Sequence, residues 1–175
     1  MEIAVRTKKI EHCLYALESF SRSYYSFDAI YKHLGTLESG NGLSPYRHIC
    51  NCLLSDATMS WCNVFGTDSE ETHWKSVVYD KNDFRKKLFN YIDISKEEYS
   101  SYWQDFCDFR NMIIAHTDIN YFENAKTPKF DIALKSANFA YSYISKIFPT
   151  GKRFSNNLDT YGQLNSEAVM EKLNV

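Results

Sequence analysis

The sequence predicts an all-α protein: an antiparallel bundle of about five helices followed by a polar C-terminal tail. Three observations predict it. Apolar residues recur three and four apart over long stretches, the period of an amphipathic helix. Only six glycines and three prolines occur in 175 residues, too few turn formers for an all-β sandwich. Helix-start signals stand where the periodicity begins, at Ser44-Pro45, at Ser95 with Glu98, and at Thr127-Pro128. A chain of this length makes one domain able to bury roughly 70% of its unfolded surface. It divides into a bundle over residues 1–149 and a C-terminal extension over 150–175.

The first helix is expected from Ile3 to Leu37, with Ile10, Leu14, Leu17, Phe20, Tyr24, Phe27, Ile30, Tyr31 and Leu34 on its apolar face. Gly40, Asn41 and Gly42 end it. The second begins at Ser44-Pro45 and carries Ile49, Leu53, Ala57, Trp61 and Phe65 up to Gly66. Thr67 to Asp80 is irregular. Asn82 or Asp83 caps a shorter helix bearing Phe84, Leu88, Phe89 and Ile92, and the Ser95 helix follows. Ile119 to Lys126 reads as a loop. Thr127-Pro128 opens a long helix with Ile132, Ala133, Ala137, Ala140, Tyr141, Ile144 and Phe148, stopped by Pro149 and Gly151. The rest is polar and turn-rich, with one short helix from Ser166.

Composition narrows the function classes. Net charge is −2, so no global basic field announces nucleic acid, although dispersed clusters such as Arg85, Lys86 and Lys87 leave room for a local basic cleft. Solvated helix faces are the plainer reading of those clusters. Five cysteines, an odd number without disulfide-like spacing, read as reduced and mostly buried thiols. Cys50 and Cys52 stand about 200° apart on a helix and cannot grip one metal. Glu70 and His73 have the spacing of half a di-iron site, but no second copy follows, so neither metal nor cofactor is expected. No run approaches the ~20 apolar residues of a membrane span, which points to a cytoplasmic protein without a membrane partner.

The chemistry concentrates in Ser95 to Asp118, read as one amphipathic helix. Tyr99, Tyr102, Trp103, Phe106, Ile113 and Ile114 form a continuous apolar arc at 100° per residue, and Arg110 falls in its middle. A guanidinium cannot shed its charge, so it needs an anion, a carbonyl array or a water-filled cleft there. One reading pairs Arg110 with an acid such as Glu18, Asp28 or Asp56 on a neighbouring helix; the other leaves it for a ligand. His116 follows about 120° round and roughly 9 Å along the axis. Imidazole moves a proton near neutral pH, and guanidinium forks onto phosphate oxygens. Asn111 offers amide hydrogen bonds but points away from the centre of the arc, so it contributes only if the helix deforms or across a subunit boundary. His73 and Trp74 are further candidates for contact with a base, against a packing role.

The run Arg110-Asn111-Met112-Ile113-Ile114-Ala115-His116 resembles the Arg-x4–6-His motif of HEPN domains, in the form with a polar residue after the arginine. Its surroundings, FCDFRNMIIAHTD and KTPKFDIAL, are similar to abortive-infection HEPN-like proteins, as less specifically is WCNVFGTDSEETHWKSV. The resemblance implies a helical homodimer whose two motifs share a cleft, and a metal-independent endoribonuclease of phage defence or of a toxin–antitoxin pair. It implies RNA as substrate, an antitoxin protein as a possible partner, and products ending in 2′,3′-cyclic phosphate. Carried over, His116 is the acid–base residue, Arg110 holds the phosphate, and Asn111 assists. Asp118 stands where some toxins of this superfamily carry a tyrosine that a partner modifies, which argues against that form of neutralisation. A carboxylate there either repels RNA or orients the imidazole. The alternative is a non-catalytic HEPN-like module that binds RNA, a nucleotide or a protein. A helical scaffold without a ligand is the third reading.

Overall fold

The computed structural model describes residues 2–36, 44–115, 127–148 and 155–173. These residues are helical throughout their ordered elements and contain no strand. Seven α-helices occur among them: α1 (Glu2–Leu34), α2 (Ser44–Phe65), α3 (Trp74–Val77), α4 (Lys81–Ile92), α5 (Lys96–Phe109), α6 (Asp131–Ser145) and α7 (Leu158–Leu173). A π-helical segment, Arg110–Ala115, continues α5. None of the described helices is long and apolar enough to cross a membrane.

The long helix α1 is the spine, packing most extensively on α2 and α7 and also on α6 and α3. Ile10, Leu14, Leu17, Phe20 and Ile30 are buried on it, as the periodicity requires. Tyr31, expected on the same face, is instead 63% exposed. On α2, Ala57, Trp61 and Phe65 are buried. Trp61 is the centre of the core: it stacks on Phe65 and meets Tyr102 and Phe106 of α5. Its indole N–H donates to Ser136 Oγ at 3.0 Å, so the ring is buried without an orphaned donor. Phe130 completes the cluster against Phe106, Tyr24 and Phe20.

Two local expectations give way. The cap of α4 is Asp80, not Asn82 or Asp83: its carboxylate accepts from both of those amides, at 3.1 and 2.9 Å. The Thr127-Pro128 signal does not open α6, which starts at Asp131 with no side-chain cap from Phe130. There Phe130 is committed to the ring cluster, and the Tyr102 hydroxyl of α5 takes over the capping work. It accepts from Ala133 N–H at 3.1 Å and donates to Lys129 C=O at 2.7 Å.

The largest correction concerns the tail. The C-terminal helix is not a short one from Ser166 but sixteen residues from Leu158, laid against α1. Its buried face is Leu158, Gly162 and Ser166, spaced by four. A Cβ on Gly162 would sit 2.3 Å from both Ser21 Oγ and Tyr25 Cδ2, so only glycine permits this approach. A contact face of one leucine, one glycine and one serine shows no hydrophobic period, which is why the sequence reads as tail.

Candidate functional site

The helix that carries the Arg110 motif starts as the sequence predicts. Ser95 Oγ accepts from Glu98 N–H at 3.1 Å, and the Glu98 carboxylate accepts from Ser95 N–H at 2.8 Å, a closed capping box. Phe106, Cys107 and Phe109 are buried along it. The α-helical bonding ends at Phe109, and the wider i→i+5 turn takes over from Arg110 to Ala115. An α-helical wheel therefore stops applying at Arg110. The deformation that Asn111 required is present at its own position; Asn111 is half-buried. π-helical turns are frequent at functional sites.

Arg110 is half-buried at this junction, and the π segment packs against α2. Its Nε is buried and has no hydrogen-bond partner among the described residues. The acids proposed as partners are engaged elsewhere. Glu18 accepts from the Tyr141 hydroxyl at 2.6 Å, Asp28 from Lys32 at 2.7 Å, and Asp56 from Ser19 and Ser23 at 3.1 and 2.6 Å. No ion pair to Arg110 occurs among the described residues. Its charge falls on Cys62 of α2 and Cys107 of α5, favouring both thiolates. Those adjoining thiols interact: the contact, with burial, pushes Cys62 up, whereas it holds Cys107 below the ordinary thiol range. His116 and Asp118 lie outside the described residues.

His73 and Trp74 sit apart from Arg110, in the turn between α2 and α4. His73 is 2% exposed, and its Nδ1 accepts from Lys75 N–H at 3.2 Å, capping α3. Its Nε2 lies 3.5 Å from Asp68 Oδ1. Burial pushes this imidazole down to about 4, against the pull of Asp68, with Lys75, Arg85 and Lys81 adding to the depression. It is therefore neutral near pH 7. Trp74 stacks on Phe84 at 4.6 Å in the core. Both residues have the packing role weighed against base contact, and both also border a cleft of about 620 Å³ between this turn, α4 and the first half of α5.

Sequence reasoning did not single out the other residues of that cleft. Arg85 and Lys96 were legible only as members of a basic cluster or a helix start, and Tyr99 and Trp103 as core positions. Comparison with protein-family models, with curated proteins and with solved structures finds no match to this chain. The residues themselves therefore carry the functional reading.

Proposed function

We propose that the protein is a metal-independent endoribonuclease of HEPN type, a cytoplasmic homodimer acting in phage defence or as the toxin of a toxin–antitoxin pair. One observation carries this reading: a half-buried arginine whose buried Nε has no hydrogen-bond partner among the described residues, set on a π-helical turn within a motif spaced for RNA cleavage. A buried donor left unpaired costs stability, on the order of 1–3 kcal/mol, and such a cost persists where a ligand satisfies the group.

In this mechanism the ribose 2′-hydroxyl attacks the adjacent phosphorus while the bond to the 5′-oxygen breaks. His116 takes the 2′-proton, and a protonated imidazole, supplied by the second copy across the dimer cleft, delivers a proton to the leaving oxygen. Arg110 forks onto the non-bridging oxygens and offsets the charge that builds on them. The products are a 2′,3′-cyclic phosphate and a 5′-hydroxyl. Asn111 steadies the same phosphate or its ribose, and an antitoxin would act by covering the cleft.

The test is RNA incubated with wild type, His116→Ala and Arg110→Ala in excess chelator, with analysis of product ends. Chelator-resistant cutting that leaves cyclic phosphate, absent from both variants, is the expected result. Equal residual cutting in all three samples would overturn the assignment. The second reading, a module that binds RNA or nucleotide without cutting it, is favoured by the ring-lined basic cleft, which requires no proton transfer to act.

A further inference from the structure

The cleft at α3, α4 and the start of α5 combines two kinds of surface. One wall is aromatic: Phe89, Tyr99 and Trp103 are each only partly buried and face it. Trp103 Nε1 donates to Phe65 C=O at 2.6 Å, which fixes the indole plane, and Phe89 packs on Tyr99 at 5.4 Å. Cations border the same cleft: Lys75, Arg85, whose guanidinium lies 5.4 Å from the Trp74 ring centre, and Lys96, on the α5 face that carries Tyr99 and Trp103. Lys75 is spent on Asp68, the acid of the cleft, which also faces His73. Arg85 and Lys96 make no ion pair among the described residues. Of the two carboxylates that follow Lys96 on α5, Glu97 and Glu98, the one next to Tyr99, Glu98, is turned back into the capping box.

We infer that this cleft is a nucleotide-binding site, with a base lying on the Tyr99 and Trp103 rings and its phosphate held by Arg85 and Lys96. The chemistry selects this class. An acidic peptide would use the cations and leave the rings bare, whereas an apolar ligand would cover the rings and strip water from two cations that make no ion pair among the described residues. A planar base attached to a phosphate satisfies both surfaces. The volume suits one such unit, within the range of about 300–1,000 Å³ usual for small-molecule sites.

The nucleotide has two possible sources, a free mononucleotide or one unit of a single-stranded RNA. The second deepens the nuclease reading and rests on it; the first does not. Geometry connects the two sites. Trp103 stands on α5 seven residues before Arg110, where α5 passes into the π turn, so one continuous helical segment connects the cleft to the arginine. A strand anchored by a base in the cleft would run along α5 towards Arg110.

Tryptophan emission reads the site directly, because Trp103 and Trp74 border it. Wild type and an Arg85→Glu/Lys96→Glu double variant would be titrated with adenosine 5′-monophosphate and with a short single-stranded oligoribonucleotide. Both substituted side chains are exposed, and circular dichroism checks that the fold is kept. We expect saturable quenching in wild type, with affinity at least about tenfold weaker and less salt-dependent in the double variant. Tighter binding of the oligonucleotide than of the mononucleotide assigns the site to a strand; tighter binding of the mononucleotide assigns it to a free nucleotide. No quenching by either probe, or equal quenching of both proteins, overturns the inference. Repeating the titration in Arg110→Ala separates this claim from the nuclease reading. Binding retained there without any RNA cleavage by wild type leaves the cleft standing and removes the nuclease; cleavage by wild type without quenching does the reverse.

Discussion

The seam between α1 and α7 and the junction between α5 and the π segment treat buried polar groups in opposite ways. Across the seam polar groups meet partners: Ser21 Oγ donates to Leu158 C=O at 2.7 Å, and Asp159 accepts from Tyr25 at 2.7 Å and also from Asn138 of α6 at 2.8 Å. At the junction a guanidinium nitrogen is buried with none among the described residues. The first pattern is what stability selects, since each unmade buried hydrogen bond costs more than a made one contributes. The second is tolerated where the missing partner arrives from outside.

The sharpest way to break this comparison is at Arg110. Arg110→Met should lower RNA cleavage about 10²–10³-fold, measured by single-turnover kinetics, while thermal stability stays level or rises by up to about 1 kcal/mol. A large loss of stability would place Arg110 with the seam, as a structural group. His73 supplies the next largest effect, because it is a buried titratable group that is fully partnered. Its folded value of about 4 lies below the unfolded value near 6.5, so the unfolded chain binds the extra proton between the two. The contribution is present above pH 6.5 and is lost as pH falls towards 4, up to about 3 kcal/mol in all. Denaturant melts across that window should show the loss, and His73→Asn should flatten it.

Gly162→Ala tests the seam itself. The added methyl meets Ser21 and Tyr25, so α7 must shift, at about 1–3 kcal/mol in chemical denaturation. Tyr102→Phe removes the hydroxyl that joins Lys129 C=O and Ala133 N–H, and should cost about 1 kcal/mol. Asp93 gives the smallest and opposite effect. It holds φ of 58° at the end of α4, so Asp93→Gly should raise stability by about 0.5–1 kcal/mol, seen as a small upward shift in Tm.

What was legible in the sequence was whatever a helix decides within one or two of its own turns. The bounds of α1 and α2, the Ser95–Glu98 box and the burial of Trp61, Phe65 and Phe106 follow from spacing and capping chemistry. Arg110 stood out for the same reason, as a charge on an apolar arc. The cleft did not, because Trp74, Arg85, Lys96 and Trp103 come from three helices and no local period relates them. Likewise α7 hid behind a contact face whose key residue is a glycine.

The amino-acid order by itself determined that this chain is a set of amphipathic helices with Arg110 where a core side chain belongs, since those properties arise from side-chain period and local hydrogen bonds. Only the tertiary structure decided that α5 passes into a π turn at Arg110, that a tyrosine from α5 caps α6, and that three helices gather rings and cations into one cleft. Each of these depends on which distant group meets a local donor or a local face, and that partner is chosen by packing rather than by neighbours in sequence.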